Sequence, residues 1–314
     1  MIWPIVAVVL GIGLTVISAD KFVEGAANLA TRLGMSHFLI GLTIVSVGTS
    51  SPELLVSAVA AANGSPSLAL GNALGSNITN ITLVLGATAF LLPLAVPKPL
   101  IARELPMLVI VSICVCLLAI RGSFDLIAGV TLLGALPLVL YYLVRNQEKS
   151  EGAIEITQHK LGTAVTLTIG SLLVLIGSSK VLVWGAVELA RQFGVSELII
   201  GLTIIAIGTS LPELAASVAS ALKNNTDMAL GTVIGSNLFN FLGAIGLAAV
   251  ISPFAIENDV YSRDLPWTVG VTVLLFLFSR FSSKQEINRS HGLLFLLLYV
   301  SYLWNILAMI APNS

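Results

Sequence analysis

The sequence predicts an all-α membrane protein of ten transmembrane helices arranged as two inverted five-helix repeats, and three observations predict it. First, 56% of the 314 residues are apolar and only 10% are charged, far below the roughly 25% charged residues of a soluble domain. Second, apolar runs of span length recur along the whole chain with short polar breaks between them. Third, the two halves match each other at a constant offset of 160 residues. Such a composition excludes a soluble enzyme, a nucleic-acid binder and a disordered chain. The formal net charge of −1 is too small to imply a polyionic partner.

A span takes about 20 apolar residues. Taken in order, the runs and their breakers place helices at about 3–30, 38–62, 67–92, 104–120, 124–144, 161–190, 198–222, 228–252, 265–280 and 292–311. The first run, MIWPIVAVVLGIGL, has no basic leader and reads as a span rather than a signal peptide. The fourth carries Cys114 and Cys116. Two residues apart on a helix, they point to nearly opposite sides, so they read as small packing residues and not as metal ligands. The polar stretch from Arg145 to Lys160 is too short for a regulatory domain and reads as a linker. The expected units are therefore residues 1–144, a cytoplasmic linker at 145–160, and residues 161–314.

Loop charge orients this bundle, because Lys and Arg stay on the cytoplasmic side. Arg32, Lys98, Arg103, Arg145, Lys149, Lys160, Lys223, Arg280, Lys284 and Arg289 fall on one side, and only Arg121, Arg191 and Arg263 on the other. The asymmetry puts both termini outside. Lys21 and Lys180 lie within or near the ends of helices, where snorkelling or pairing, as of Lys21 with Glu24, accounts for them.

The repeat aligns GLTIVSVGTSSPEL from Gly41 with GLTIIAIGTSLPEL from Gly201, and ALGNALGSNITN from Ala69 with ALGTVIGSNLFN from Ala229. About 20 of the 46 positions from Gly41 to Gly86 are identical to their partners. The match continues to Ala-Arg-Glu-Leu-Pro ending at Pro106 against Ser-Arg-Asp-Leu-Pro ending at Pro266. Five helices per copy is an odd number, so the second copy crosses the membrane in the opposite sense. Inverted repeats with interrupted helices at matching positions are the mark of secondary transporters, whose site lies at the repeat interface near the midplane.

Pro52 and Pro212 interrupt these helices: neither donates a hydrogen bond, and each ring collides with the carbonyl four residues earlier, on Gly48 or Gly208. Freed carbonyls in a bilayer are tolerated where they line a cavity or meet an ion. Thr49, Glu53 and Ser57 follow at i,i+4 spacing, as do Thr209, Glu213 and Ser217, giving each helix one polar stripe with a carboxylate at its middle. A proline kink with a satisfied hydroxyl explains Pro and Thr but not Glu, since an acid near the bilayer centre costs at least about 2.5 kcal/mol and marks ion pathways. No Lys or Arg lies deep in the second, third, seventh or eighth helix to neutralise the pair. A mobile cation or a proton must do so.

The third and eighth helices supply the complement. Gly71-x-x-x-Gly75 and Gly231-x-x-x-Gly235 permit close backbone approach, and beyond them Ser76 with Asn80, and Ser236 with Asn240, share one helix face. Small-residue packing alone would explain one such stripe; two copies beside two carboxylates point to ligands. Carboxylate, hydroxyl, amide and carbonyl oxygens, with no His or Cys, select hard ions such as calcium and sodium.

The doubled GTSSPE/GTSLPE and GSNITN/GSNLFN motifs resemble the two alpha repeats of the calcium/cation antiporter superfamily, in its prokaryotic sodium/calcium exchanger branch. Proton-coupled relatives carry a Gly-Asn-Ala-x-Glu type motif instead. The resemblance implies a calcium site made by Glu53, Glu213, Thr49 and Thr209, largely through backbone oxygens. It implies sodium sites that use these residues with Ser50, Ser210, Ser76 and Ser236, backbone carbonyls of Ser46 and Ala206, and three sodium ions per calcium. Potassium-dependent exchangers carry Asp where this chain has Asn240, so the resemblance argues against potassium dependence.

The expected function is sodium/calcium antiport by alternating access, the first and sixth helices sliding across the rest. A proton/calcium antiporter using the same glutamates is the alternative. An intramembrane hydrolase is disfavoured, because His37, His159 and His291 all fall in loops or at helix ends. No resident cofactor, catalytic group or obligatory protein partner is expected, only calcium and sodium as cargo and the lipid bilayer. The expected location is a bacterial or archaeal inner (plasma) membrane.

Overall fold

Apolar segments without water must satisfy their amides internally, and a helix does so within one segment. The computed structural model is helical almost throughout and describes residues 2–146, 160–194, 206–258, 260–282 and 284–310. The helices are α1 (Ile2–Leu33), α2 (His37–Thr49), α3 (Ser51–Ala62), α4 (Pro66–Leu91), α5 (Leu100–Ala119), α6 (Leu126–Arg145) and α7 (Leu161–Gln192). They continue as α8 (Ala206–Thr209), α9 (Leu211–Leu222), α10 (Thr226–Ile251), α11 (Val260–Phe281) and α12 (Arg289–Ile310). Among the described residues seven of these are long and apolar enough to cross a membrane, and α2 with α3, bent by 45° at Ser50, make an eighth. The protein is a mostly helical membrane protein. The start of the expected seventh span and most of the expected linker lie outside the described residues.

Two helices begin earlier than the expected 104 and 265. Pro106 and Pro266 are each the seventh residue of a longer helix, which starts at Leu100 or Val260. A wide π-type turn precedes each proline, over Leu100–Glu104 and Val260–Asp264. Such a turn disturbs the regular i−4 ladder, so a residue without an N–H is tolerated where a regular helix would break. Wide turns also occupy Asn80–Leu85 and Phe239–Ala244, again at matching places in the two halves.

The chain is not wholly α. Strand β1 (Leu94–Ala95) pairs antiparallel with β4 (Glu286–Ile287), and β2 (Ser123–Phe124) with β3 (Phe254–Ala255). Pro93 and Pro253 force the preceding Leu92 and Ser252 into extended backbone, which delivers the next residues as strand. Each ladder joins one half of the chain to the other.

The longest helices, α1 and α7, run antiparallel. A Cβ on Gly11 would lie 2.8 Å from the Leu182 backbone, one on Gly25 2.8 Å from the Thr168 nitrogen, and one on Gly185 2.8 Å from the Pro4 carbonyl. Only glycine permits this approach. Thr15 adds a hydroxyl bond to Ser178 at 3.0 Å. The pair leaves the lipid side apolar, with Trp3, Val9, Val16 and Leu173 exposed. Phe22, Val23 and Ala26 of α1 bury against Ile40 and Val45 of α2 and Ala216 of α9. The larger core gathers α4, α5, α6, α10, α11 and α12 around Leu74, Ile81, Phe241 and Phe295. Cys114 is exposed, against the expectation that it packs, because the neighbouring helices cover the other face of α5; Cys116 is half-buried.

Candidate ion-binding site

The polar stripes expected from the prolines are inside the bundle. Ser50 breaks the chain between α2 and α3 at φ −85°, ψ 2°, and Ser210 does the same between α8 and α9 at φ −91°, ψ 6°. Pro52 and Pro212 occupy the first turns after these breaks, where a missing N–H costs nothing. Glu53 and Glu213 follow in the same turns and are each 1% exposed. Thr49, Ser50, Ser76, Asn80, Ser210, Ser236 and Asn240 are buried as well. Thr209 is only half-buried.

Glycines bring the stripes together on one side. A Cβ on Gly231 or Gly235 would strike the Phe38 or Leu42 carbonyl, so α10 lies directly against α2. The matching Gly71 and Gly75 have no described atom within 4 Å of an added Cβ. The segment equivalent to the α2 contact, residues 198–202, lies outside the described residues.

The Ser50 hydroxyl donates to Glu213 Oε1 at 2.9 Å and ties the first half to the second. Asn72 donates to the Glu53 carbonyl at 3.2 Å and to Ser57 Oγ at 3.0 Å, fixing the turn that carries Glu53. Thr49 turns its hydroxyl to the Val45 carbonyl at 3.1 Å. Glu53 Oε2, Glu213 Oε2, Asn80 Oδ1, Ser210 Oγ, Ser236 Oγ and both amide atoms of Asn240 are buried with no partner. Buried polar atoms are almost always paired, and a carboxylate left so in low dielectric is several kcal/mol unfavourable.

Among the described residues no base relieves it. Among the described residues the ion pairs are Lys21–Glu24, Arg103–Glu104, Arg121–Asp125, Arg191–Glu188, Lys223–Asp20 and Arg263–Asp264, and none includes Glu53 or Glu213. Nor do three or more His, Cys, Asp and Glu side chains gather anywhere among the described residues. The arrangement has two negative charges and many neutral oxygens, which suits a hard cation with several oxygen ligands.

Two cavities reach Thr209. One, about 300 Å³, lies between α3, α7 and α9, against Pro52, Ser179, Lys180 and Pro212. The other, about 250 Å³, lies between α4 and α12, against Gly75, Ser76, Thr79 and Tyr299. Sequence reasoning missed Asn72, Asn77 and Asn237. The last two were visible as the shared Asn of Gly-Ser-Asn in both motifs.

The chain is similar to known proteins over nearly its whole length. The chain is 42% identical over 313 residues to a protein of Alkalimonas amylolytica named putative antiporter CaxA, covering 96% of this chain and 98% of the relative. It is 37% identical over 297 residues to the inner membrane protein YrbG of Escherichia coli, covering 91% of each. The solved sodium-calcium exchanger NCX_Mj, soaked with 2.5 mM sodium and 0.1 mM calcium, superposes with a TM-score of 0.84 at 33% identity over all of both chains. The family described as sodium/calcium exchanger protein matches residues 3–145 and 163–308. The chain belongs to that family of cation/calcium antiporters.

Proposed function

We propose that the protein exchanges sodium for calcium by alternating access at one site built on Glu53 and Glu213. The observation that carries this reading is the pair of buried carboxylates whose free oxygens have, among the described residues, neither a base nor a hydrogen-bond donor. One calcium ion, or at least two sodium ions, would neutralise the pair; the empty carrier would have to bury both charges and so resists switching. Backbone oxygens of Thr49 and Thr209 complete the calcium shell. Sodium uses these groups with Ser50, Ser210, Ser76 and Ser236, and Asn80 and Asn240 add amide oxygens.

A ten-span inverted arrangement with both termini outside fits the chain connections. An antiparallel ladder needs its two strands on one side of the membrane. With ten spans β1 and β4 fall on the inner side and β2 and β3 on the outer, as their pairing requires. Both cavities beside Thr209 then open outward, while α1 covers the inner half of α9, where Lys223 meets Asp20 at 2.8 Å. The glycine-locked α1 and α7 form the unit that slides. An inner (plasma) membrane suits such a carrier.

The experiment is calcium uptake into sodium-loaded vesicles containing purified protein. Uptake driven by an outward sodium gradient and insensitive to a protonophore is expected. Uptake that follows a proton gradient and ignores sodium would establish the proton/calcium alternative instead.

A further inference from the structure

Four buried asparagines, Asn77, Asn80, Asn237 and Asn240, lie on α4 and α10, and the ion site proposed above uses only Asn80 and Asn240. The other two, Asn77 and Asn237, lie one turn earlier and are fully buried. Asn80 Nδ2 donates to Asn237 Oδ1 at 3.4 Å, across the repeat boundary. The same amide keeps its oxygen unpartnered, for Asn80 Oδ1 is buried with no donor. An asparagine amide has one end that donates and one that accepts, and only the accepting end binds a cation. A partner that takes the hydrogen therefore decides which end is left for the ion.

We propose that Asn237 is a positioning residue of the ion site: it holds the Asn80 amide hydrogen and thereby leaves the Asn80 carbonyl oxygen to the transported cation. The inference rests on the proposed use of Asn80 as a ligand. The contact is long, and a cation on the oxygen polarises the amide and strengthens the bond its N–H makes. Holding and binding are thus coupled. The counterpart contact, Asn240 with Asn77, is not made; both atoms of both amides are unpartnered. Asn80 is the oriented ligand of the two, and among the described residues the Asn240 amide is held by no hydrogen bond.

The test is a double-mutant cycle on the purified protein in detergent, read as the sodium and calcium concentrations that give half of the ion-induced rise in Tm. Asn80→Ala and Asn237→Ala each raise the half-saturating concentration of at least one ion by about five- to tenfold, the size of one ordinary hydrogen bond. The double variant is no worse than Asn80→Ala alone, because Asn237 acts only through Asn80. Effects that multiply in the double variant, or no effect of either substitution, overturn the proposal. Asn237→Ser, which loses the same contact with a smaller void, runs the same cycle where the alanine variant does not survive purification. Wild-type protein without any sodium or calcium response would sink the exchanger reading itself. A normal wild-type response with a multiplicative cycle sinks only the role of Asn237.

Discussion

Ser50 donates its hydroxyl to Glu213 Oε1 at 2.9 Å, while Ser210, its equivalent in the other half, leaves Oγ unpartnered. The two serines occupy the same place in the same motif, so the difference is one of conformation and not of chemistry. A carrier open to one side has unequal halves by necessity. Ser50→Ala removes a donor from a buried carboxylate, worth about 1.5–3 kcal/mol, and should lower the ion-free Tm by several degrees. Ser210→Ala removes no bond, only an unpartnered buried hydroxyl, and should not lower it. Melting both variants in chelator and sodium-free buffer checks the inequality.

The α1–α7 contact makes a second prediction. At Gly11 an added Cβ lies 2.8 Å from Leu182 Cα, while at Gly13 it meets nothing within 4 Å. Gly11→Leu should therefore destabilise the protein by about 1–3 kcal/mol through overpacking, and Gly13→Ala should be within about 0.5 kcal/mol of neutral. Denaturant titration of the two variants reads the difference. Equal effects would mean that the helices do not touch through this glycine.

Topology is tested with single cysteines placed at Asn63 and Asn146 after Cys114 and Cys116 are changed to serine. An impermeant thiol reagent added to intact cells should label Asn63→Cys and spare Asn146→Cys until the membrane is opened. The loop-charge asymmetry motivates the direction, and the two ladders motivate the span count. Labelling of both positions in intact cells would contradict the inverted arrangement.

The candidate site was legible because its parts are local. Pro52 and Pro212 announce a break wherever they stand in an apolar run, and a Glu one residue later in each copy cannot be explained by packing. Lys21–Glu24 was likewise readable from i,i+3 spacing and is present at 2.8 Å. What the sequence hides is set by contacts between distant segments. Strands of two residues carry no period, so β1 to β4 could not be seen. The wide turns before Pro106 and Pro266 depend on which carbonyls the bundle leaves free, and they shifted two helix starts. The bond from Asn80 to Asn237 joins residues 157 apart, and the shared motif shows both amides without showing that they meet.

Potassium independence follows from charge. Asn80 and Asn240 supply oxygen without charge, so a potassium ion beside calcium would bring a further positive charge that no third carboxylate offsets. Initial sodium-driven calcium fluxes should be unchanged when choline replaces potassium on both sides. Asn240→Asp adds a buried acid and should alter the sodium dependence or introduce a proton sensitivity. A strict potassium requirement in the unmodified protein would contradict the argument.

Calcium uptake by Glu53→Gln and Glu213→Gln in sodium-loaded vesicles tests the central claim most directly. Each substitution keeps the shape of the side chain and removes one of two buried charges, so a desolvated divalent ion loses half of its neutralisation. The account predicts that either variant folds, melts no lower than the wild type without ions, and loses sodium-driven calcium uptake by at least about a hundredfold, the scale of a lost buried charge. Near-normal uptake by either variant would contradict it, and would move the site away from Glu53 and Glu213.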